Sequence, residues 1–162
     1  MRRNFNFQLG MIAFARDDFP RAYSLFSEAI GDEDQRAYSG EDIWGFTMAS
    51  LVSEIVGKHE EAESRLADAE RKVTRARLNG VDNPDIYYTE AVILAMRDQT
   101  ERALEKLNQA YQRGFRELWT LNIDARLDSL REQPGFIALK NRITDDVNSA
   151  LTEVKSARLA MY

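Results

Sequence analysis

Small and large apolar residues recur along the chain with the spacing of an amphipathic helix. In three segments a small residue precedes a large apolar residue by four positions, and a second small residue follows three positions later. The segments are Ala22-x3-Phe26-x2-Ala29, Ala62-x3-Leu66-x2-Ala69 and Ala103-x3-Leu107-x2-Ala110. Positions i, i+4 and i+7 lie on one face of an α-helix, so each segment predicts a helix with a narrow apolar stripe.

A short turn precedes each of these helices, and a further apolar segment precedes each turn. The earlier segments predict helices at about 4–16, 42–56 and 84–97, and the turns fall at 16–19, 56–59 and 97–100. The repeating unit is therefore helix, tight turn, helix. The stripes begin at Ala22, Ala62 and Ala103, which are 40 and 41 residues apart. A regular period of this size is typical of helical repeat proteins.

This unit resembles the tetratricopeptide repeat (TPR), whose signature is W-x2-L-G-x2-Y, then A-x3-F, then P. The resemblance is carried by Leu9-Gly10, Ala22 and Phe26 in the first unit, by Phe46, Ala49-Ser50 and Ala62 in the second, and by Tyr87, Glu90-Ala91 and Ala103 in the third. The small residues at Gly10, Ser50 and Ala91 are expected to let the two helices of each unit approach closely. The resemblance implies an all-α fold, a TPR-like right-handed α-solenoid of antiparallel helix pairs with a long C-terminal helix.

Two features depart from the family pattern. The period exceeds the 34 residues of the family, and the closing proline is missing from the first two units. We expect the extra residues in the linker Gly31–Asp42 and in a lengthened helix at about 60–79. The predicted organisation is a single TPR-like domain over residues 1–162, with repeat units at about 4–35, 42–80 and 84–115 and a degenerate closing unit with a terminal helix at 117–162.

The terminal helix is predicted at about 135–161 from apolar residues spaced three and four apart. These residues are Phe136, Leu139, Ile143, Val147, Ala150, Val154, Ala157 and Met161. The spacing is close to the heptad seam of a coiled coil.

Composition excludes several classes of function. The net charge of −5 argues against nucleic-acid binding, which usually needs a basic surface. The absence of cysteine excludes disulfides, thiolate metal sites and cysteine nucleophiles. No apolar run approaches the roughly 20 residues that span a bilayer, so no membrane insertion is expected. The short apolar segment at 11–15 is a poor signal peptide, and the sequence only slightly favours the cytoplasm over other compartments.

Candidate chemistry is sparse. His59 is the single histidine of the chain and lies in a predicted turn. A metal site or an acid–base pair needs convergent partners, and a packing role for His59 agrees better with its position. The adjacent carboxylates Glu60 and Glu61 point about 100° apart on a helix and do not converge. The sequence therefore predicts no catalytic residue, no metal, no cofactor and no enzyme activity.

A basic cluster lies late in the lengthened helix, at Arg71, Lys72, Arg75 and Arg77. It suits either an acidic partner or phosphates, or the negative end of the helix dipole. The second interpretation agrees better with the acidic residues Asp68 and Glu70 beside it.

The TPR resemblance also implies a concave groove lined by the first helix of each unit. The residues predicted to line this partner-binding groove are Phe7, Met11, Phe14, Trp44, Thr47, Leu51, Ile55, Tyr88, Val92 and Met96. Because most are apolar, an amphipathic segment of a protein or peptide partner suits the groove. The chain's own last helix or a second copy of the chain, as in a homodimer, suits it equally well in chemistry.

The function expected from this pattern is a non-catalytic protein–protein interaction scaffold. The closing segment also has a loose likeness to the last units of repeat domains in bacterial regulatory proteins, so the scaffold is expected to be one domain of a larger bacterial regulatory or assembly protein. Two alternatives remain, a self-associating structural module and a sensor domain for a small ligand.

Overall fold

The chain folds into helices alone, within the part that the structure describes. This computed structural model describes residues 2–30 and 40–159, and the side chains at 5–30 and 43–157. No β-strand occurs in these ranges, which confirms the all-α class. Most of the predicted linker Gly31–Asp42 lies outside the described residues.

The helices predicted at 4–16, 42–56, 60–79, 84–97 and 135–161 begin and end within two residues of those positions. The described helices are α1 (Arg2–Phe14), α2 (Phe19–Ile30), α3 (Gly40–Ile55), α4 (His59–Leu78), α5 (Pro84–Ala95), α6 (Thr100–Gln112), α7 (Leu118–Ile123), a 3₁₀ helix (Ala125–Leu130) and α8 (Pro134–Leu159). The lengthened middle helix is therefore present as α4. No helix in the described ranges combines the length and apolar character needed to cross a bilayer.

The three turns between paired helices have the same backbone geometry. Asp17, Gly57 and Asp98 occupy equivalent places, and each adopts a positive φ, of 58°, 79° and 55°. In each turn the next amide donates to a carbonyl five residues back, from Asp18 to Ala13, from Lys58 to Ser53 and from Gln99 to Leu94. A left-handed residue followed by such a bond is a standard way to end an α-helix. The sequence repeat is thus also a repeat of local structure.

Five of the six alanines of the predicted stripes lie in the interior, and Ala29 is half-buried. Ala22, Ala69, Ala103 and Ala110 have no exposed surface, and Ala62 is nearly as buried. These small side chains let α2, α4 and α6 pack closely on α1, α3 and α5. Further contacts join α2 to α3 and α4 to α5, so each helix pair is connected to the next.

The small residues of the first helices allow this close approach. A Cβ atom on Gly10 would lie 2.8 Å from the ring of Phe26 on α2, closer than van der Waals contact permits. At the equivalent place in the second unit, the Ser50 hydroxyl donates to the Ala62 carbonyl oxygen at 2.8 Å. Ala91 occupies this place in the third unit and is fully buried. Larger side chains at these positions would push the paired helices apart.

Only the first half of α8 packs on the body of the protein. Phe136, Leu139 and Ile143 are buried where α8 contacts α6 and α7. From Val147 to Ala157 every side chain is exposed. The apolar stripe of α8 therefore continues beyond the core that covers its first half.

Candidate functional site

The structure separates the ten predicted groove residues into three groups. Phe7, Thr47, Tyr88 and Val92 are buried, Met11, Phe14, Leu51 and Met96 are half-buried, and Trp44 and Ile55 are exposed by 39% and 44%. Phe7 packs against Trp44 with ring centroids 5.2 Å apart. The ten residues therefore do not form one continuous open surface.

The 3₁₀ helix covers the middle of the predicted groove by packing against α3 and α5. Arg126 reaches from this segment to α3, where its Nη1 donates to Thr47 Oγ1 at 2.6 Å. Asp124, which precedes the 3₁₀ helix, accepts a hydrogen bond from the Tyr88 hydroxyl at 2.5 Å. The polar atoms of Thr47 and Tyr88 are thus satisfied within the chain.

Asp124 and Arg126 form a buried ion pair at the centre of this cover. Arg126 donates to both carboxylate oxygens of Asp124, with Nε to Oδ1 at 2.8 Å and Nη2 to Oδ2 at 2.5 Å. The two side chains are only 7% and 5% exposed. The guanidinium also lies over the Trp44 ring, 5.6 Å from its centroid. Bidentate geometry of this kind is the strongest form of a carboxylate–arginine contact.

This ion pair and its hydrogen bonds set the protonation of the groups around it. Burial raises the pKa of Asp124, but the hydrogen bonds and charge of Arg126 outweigh burial and leave that pKa below its usual range. Burial, followed by the negative charge of Asp124, raises the pKa of the Tyr88 hydroxyl. Tyr88 therefore keeps its proton and donates a hydrogen bond to Asp124. The arrangement is that of a structural ion pair, because each polar group is held by a partner within the chain.

The lowered pKa of Asp124 predicts a pH dependence of stability. A carboxylate with a lowered folded pKa stabilises the protein above its unfolded pKa of about 3.9, and this contribution is lost as the pH falls through the folded value. The free energy of unfolding should therefore drop below about pH 4. Urea unfolding across that range should show a shallower drop for Asp124→Asn, whereas the exposed Asp145→Asn should retain the wild-type acid dependence. Equal acid dependence in both variants would contradict the assignment.

A cavity of about 260 Å³ remains open beside this cover. It lies between α3, α4, the turn after α5 and the 3₁₀ helix. Its lining residues are Ser50, Leu51, Glu54, His59, Ala62, Glu63, Leu66, Ala95, Met96, Asp98, Ala125, Arg126, Asp128 and Ser129. Leu51 and Met96 belong to the predicted groove, from the first helices of the second and third units. This space, hereafter the α3–α5 cavity, is the candidate functional site.

The α3–α5 cavity is lined by one histidine and two serines, and each of these side chains has a hydrogen-bonding partner within the chain. His59 Nδ1 lies 2.8 Å from Glu54 Oε1, and both side chains are largely exposed. The Ser50 hydroxyl donates to the Ala62 carbonyl oxygen, and the Ser129 hydroxyl donates to the Ala95 carbonyl oxygen at 3.2 Å. A serine nucleophile needs a base at its hydroxyl. His59 is hydrogen-bonded to Glu54 rather than to either serine. Among the described side chains, no group of three His, Asp or Glu residues is placed to hold a metal ion.

No family model, no curated protein and no solved structure matches this chain. Its function must therefore be inferred from its own surfaces and contacts.

Most cations of the predicted basic cluster form ion pairs or ring contacts within the chain. Arg71 forms an ion pair with Asp68, and Lys72 lies 5.0 Å from the centroid of the Phe46 ring. Arg77 pairs with Glu90 at 3.2 Å and lies over the Tyr87 ring. Because three of the four predicted cations already have intramolecular partners, the cluster suits a structural role better than a phosphate-binding role.

A second buried arginine joins the first two units, and the sequence pattern did not single it out. Arg65 of α4 donates to Ser27 Oγ on α2 at 2.7 Å and to Ser53 Oγ on α3 at 2.6 Å. It also pairs with Glu61, one turn earlier in α4. The signal was present as an arginine within the apolar stripe between Ala62 and Ala69, but Ser27 and Ser53 lie too far along the chain to be inferred from spacing.

Proposed function

We propose that this chain is a non-catalytic scaffold whose helix pairs stack as a short TPR-like solenoid and bind a segment of another protein. Three features support the stacking: the alanine stripes, the close helix contacts at Gly10, Ser50 and Ala91, and the turns that share one geometry. In a solenoid each unit contacts its neighbours, and the first helices line one surface.

The observation that carries the binding role is the α3–α5 cavity. Two apolar residues of the predicted groove, Leu51 and Met96, line it from neighbouring units. Nearby on α3, Trp44 and Ile55 remain exposed. Concave sites that combine apolar walls with a few polar groups are the usual form of a binding site.

Selection of peptides from a displayed random library on the full chain tests this role. We expect enriched peptides to bind the wild-type chain and to lose most of their affinity for Leu51→Lys, because the new charged group would lie in the apolar wall of the cavity. Ile12→Lys is the matched control, since Ile12 is an exposed apolar residue on α1 that does not line the cavity. Failure to enrich any peptide, or equal loss in both variants, would contradict the proposal.

A second candidate function, self-association, is favoured by the exposed half of α8. Val147, Leu151 and Val154 are 37%, 52% and 66% exposed. The exposed half of α8 is as short as isolated helices whose stability in water is marginal. A partner that covers Val147, Leu151 and Val154 would therefore stabilise it. A second copy of the chain would supply the same apolar stripe.

Light scattering on the full chain tests self-association. If α8 forms the contact, the wild-type chain should have the mass of a dimer, and the double variant Leu151→Ser with Val154→Ser should have the mass of a monomer. Thr152→Ala, on the opposite face of the same turn, should leave the dimer intact. A wild-type mass equal to one chain at high concentration would exclude this candidate.

A further inference from the structure

The walls of the α3–α5 cavity carry an excess of negative charge. Four acidic residues line it, Glu54, Glu63, Asp98 and Asp128. The single guanidinium in the lining belongs to Arg126, and Asp124 already binds it through two hydrogen bonds. The charge offered to a ligand is therefore mainly that of the carboxylates.

The ion pairs around the cavity do not cancel this charge. Glu63 pairs with Arg97 at 2.8 Å, but Arg97 also pairs with Glu70 at 2.6 Å. Asp128 pairs with Arg131 at 2.5 Å. Asp98 forms no ion pair within the described part of the chain. The four lining acidic residues, together with Glu70 and Asp124, supply six carboxylates. The positively charged partners are the three guanidinium groups of Arg97, Arg126 and Arg131, with the imidazole of His59 as a further partner.

The remaining walls are apolar. Leu51, Leu66 and Met96 line the cavity together with Ala62, Ala95 and Ala125. Its volume of about 260 Å³ far exceeds the roughly 10–15 Å³ of such space that one water molecule needs. A long side chain can thus replace several water molecules in this space.

We infer that the α3–α5 cavity receives a lysine or arginine side chain from a basic segment of a partner protein. The methylene groups of such a side chain would pack on Leu51 and Met96, and its charged end would reach the carboxylates. An acidic side chain would be repelled, and a wholly apolar one would remove water from the carboxylates without replacing their hydrogen bonds. This inference rests on the proposed function and adds the chemistry of the partner.

The same peptide selection, followed by binding and NMR measurements on the full chain, tests the inference. Enriched peptides should carry net positive charge next to an apolar residue, and they should shift the methyl signals of Leu51 and Met96. Asp98→Asn with Asp128→Asn should weaken their binding by about fivefold to tenfold, because two partly screened ion pairs are lost. Asparagine tolerates the left-handed backbone at position 98, so the double variant should fold. Raising the ionic strength should also weaken binding.

A matched control removes two carboxylates elsewhere. Glu105→Gln with Glu153→Gln changes the net charge by the same amount at exposed sites outside the cavity, and it should leave the affinity within about twofold. If both double variants weaken binding equally, the effect is one of overall charge and the inference is wrong.

The other outcomes separate this inference from the proposed function. Enriched peptides that are neutral or acidic, or that shift signals away from Leu51 and Met96, would overturn the basic-segment inference and leave the scaffold role standing. A library that yields no binding peptide would overturn both. Arginine amide used alone as a probe would overturn the protein-segment assignment if it bound as tightly as the peptides, because the site would then be one for a small cation.

Discussion

Replacement of Arg126 by alanine should lower the free energy of unfolding by about 3–5 kcal/mol, the usual cost of leaving a buried charge without its partner. Arg126 is 6% exposed, and it is the residue through which the 3₁₀ helix contacts Thr47 on α3. The variant would remove the hydrogen bonds that hold the Asp124 carboxylate in its ionised form. Water does not readily reach Asp124 because its side chain is also buried.

Urea denaturation followed by circular dichroism measures this change. The control is Arg102→Ala, which removes an exposed arginine from α6 and should alter stability by no more than about 0.5 kcal/mol. A variant that removes both charges, Arg126→Met with Asp124→Asn, should recover part of the loss because no unpaired charge is then buried. A loss below about 1 kcal/mol in Arg126→Ala would show that water or another cation compensates Asp124.

The helix pairs were predictable because their signals are local. Ala22, Phe26 and Ala29 fall within two turns of one helix, and the spacing itself decides which face is buried. Helix ends were predictable for the same reason. At α5, Asn83 accepts a hydrogen bond from the Ile86 amide at 3.0 Å, and Pro84 occupies the first helical position. Such caps need only the three or four neighbouring residues.

The cover over the predicted groove was not predictable in the same way. Arg126 and Thr47 are 79 residues apart in sequence, and no periodic pattern connects a residue of the 3₁₀ helix to one of α3. Periodicity predicts that Thr47 and Val92 lie on the groove-lining faces of their helices, but it does not say which part of the chain packs on each face. The apolar character of the groove suited the last helix, a second copy of the chain or a partner segment, whereas the structure has the 3₁₀ helix against α3 and α5.

Sequence periodicity also does not predict where α8 stops packing against the rest of the protein. The seam of α8 continues with nearly constant spacing from Phe136 to Ala157, yet burial stops after Ile143. Spacing within one helix does not reveal where the body of the protein ends. The point at which a predicted seam loses its cover depends on which other elements pack against the helix, here α6 and α7.

Replacement of Ala91 by glutamate should unfold the third unit and cost at least about 4 kcal/mol, because it places an unpaired carboxylate in the interior. Ala91 has no exposed surface and lies in α5, whose neighbouring residues Tyr87, Val92 and Leu94 are buried as well. It also occupies the place of Gly10 and Ser50, where the paired helices approach closely. The added side chain would therefore meet both a lack of space and a lack of hydrogen-bond partners.

Matched substitutions separate this effect from a general cost of adding glutamate to a helix. Ala138→Glu makes the same chemical change on the exposed face of α8 and should change stability by less than about 0.5 kcal/mol. Ala91→Ser copies the residue of the second unit, and it should be tolerated if its hydroxyl finds a carbonyl oxygen as Ser50 does. If thermal unfolding of Ala91→Glu matched that of Ala138→Glu, position 91 would not lie at a close helix contact, and the equivalence of Gly10, Ser50 and Ala91 would be wrong.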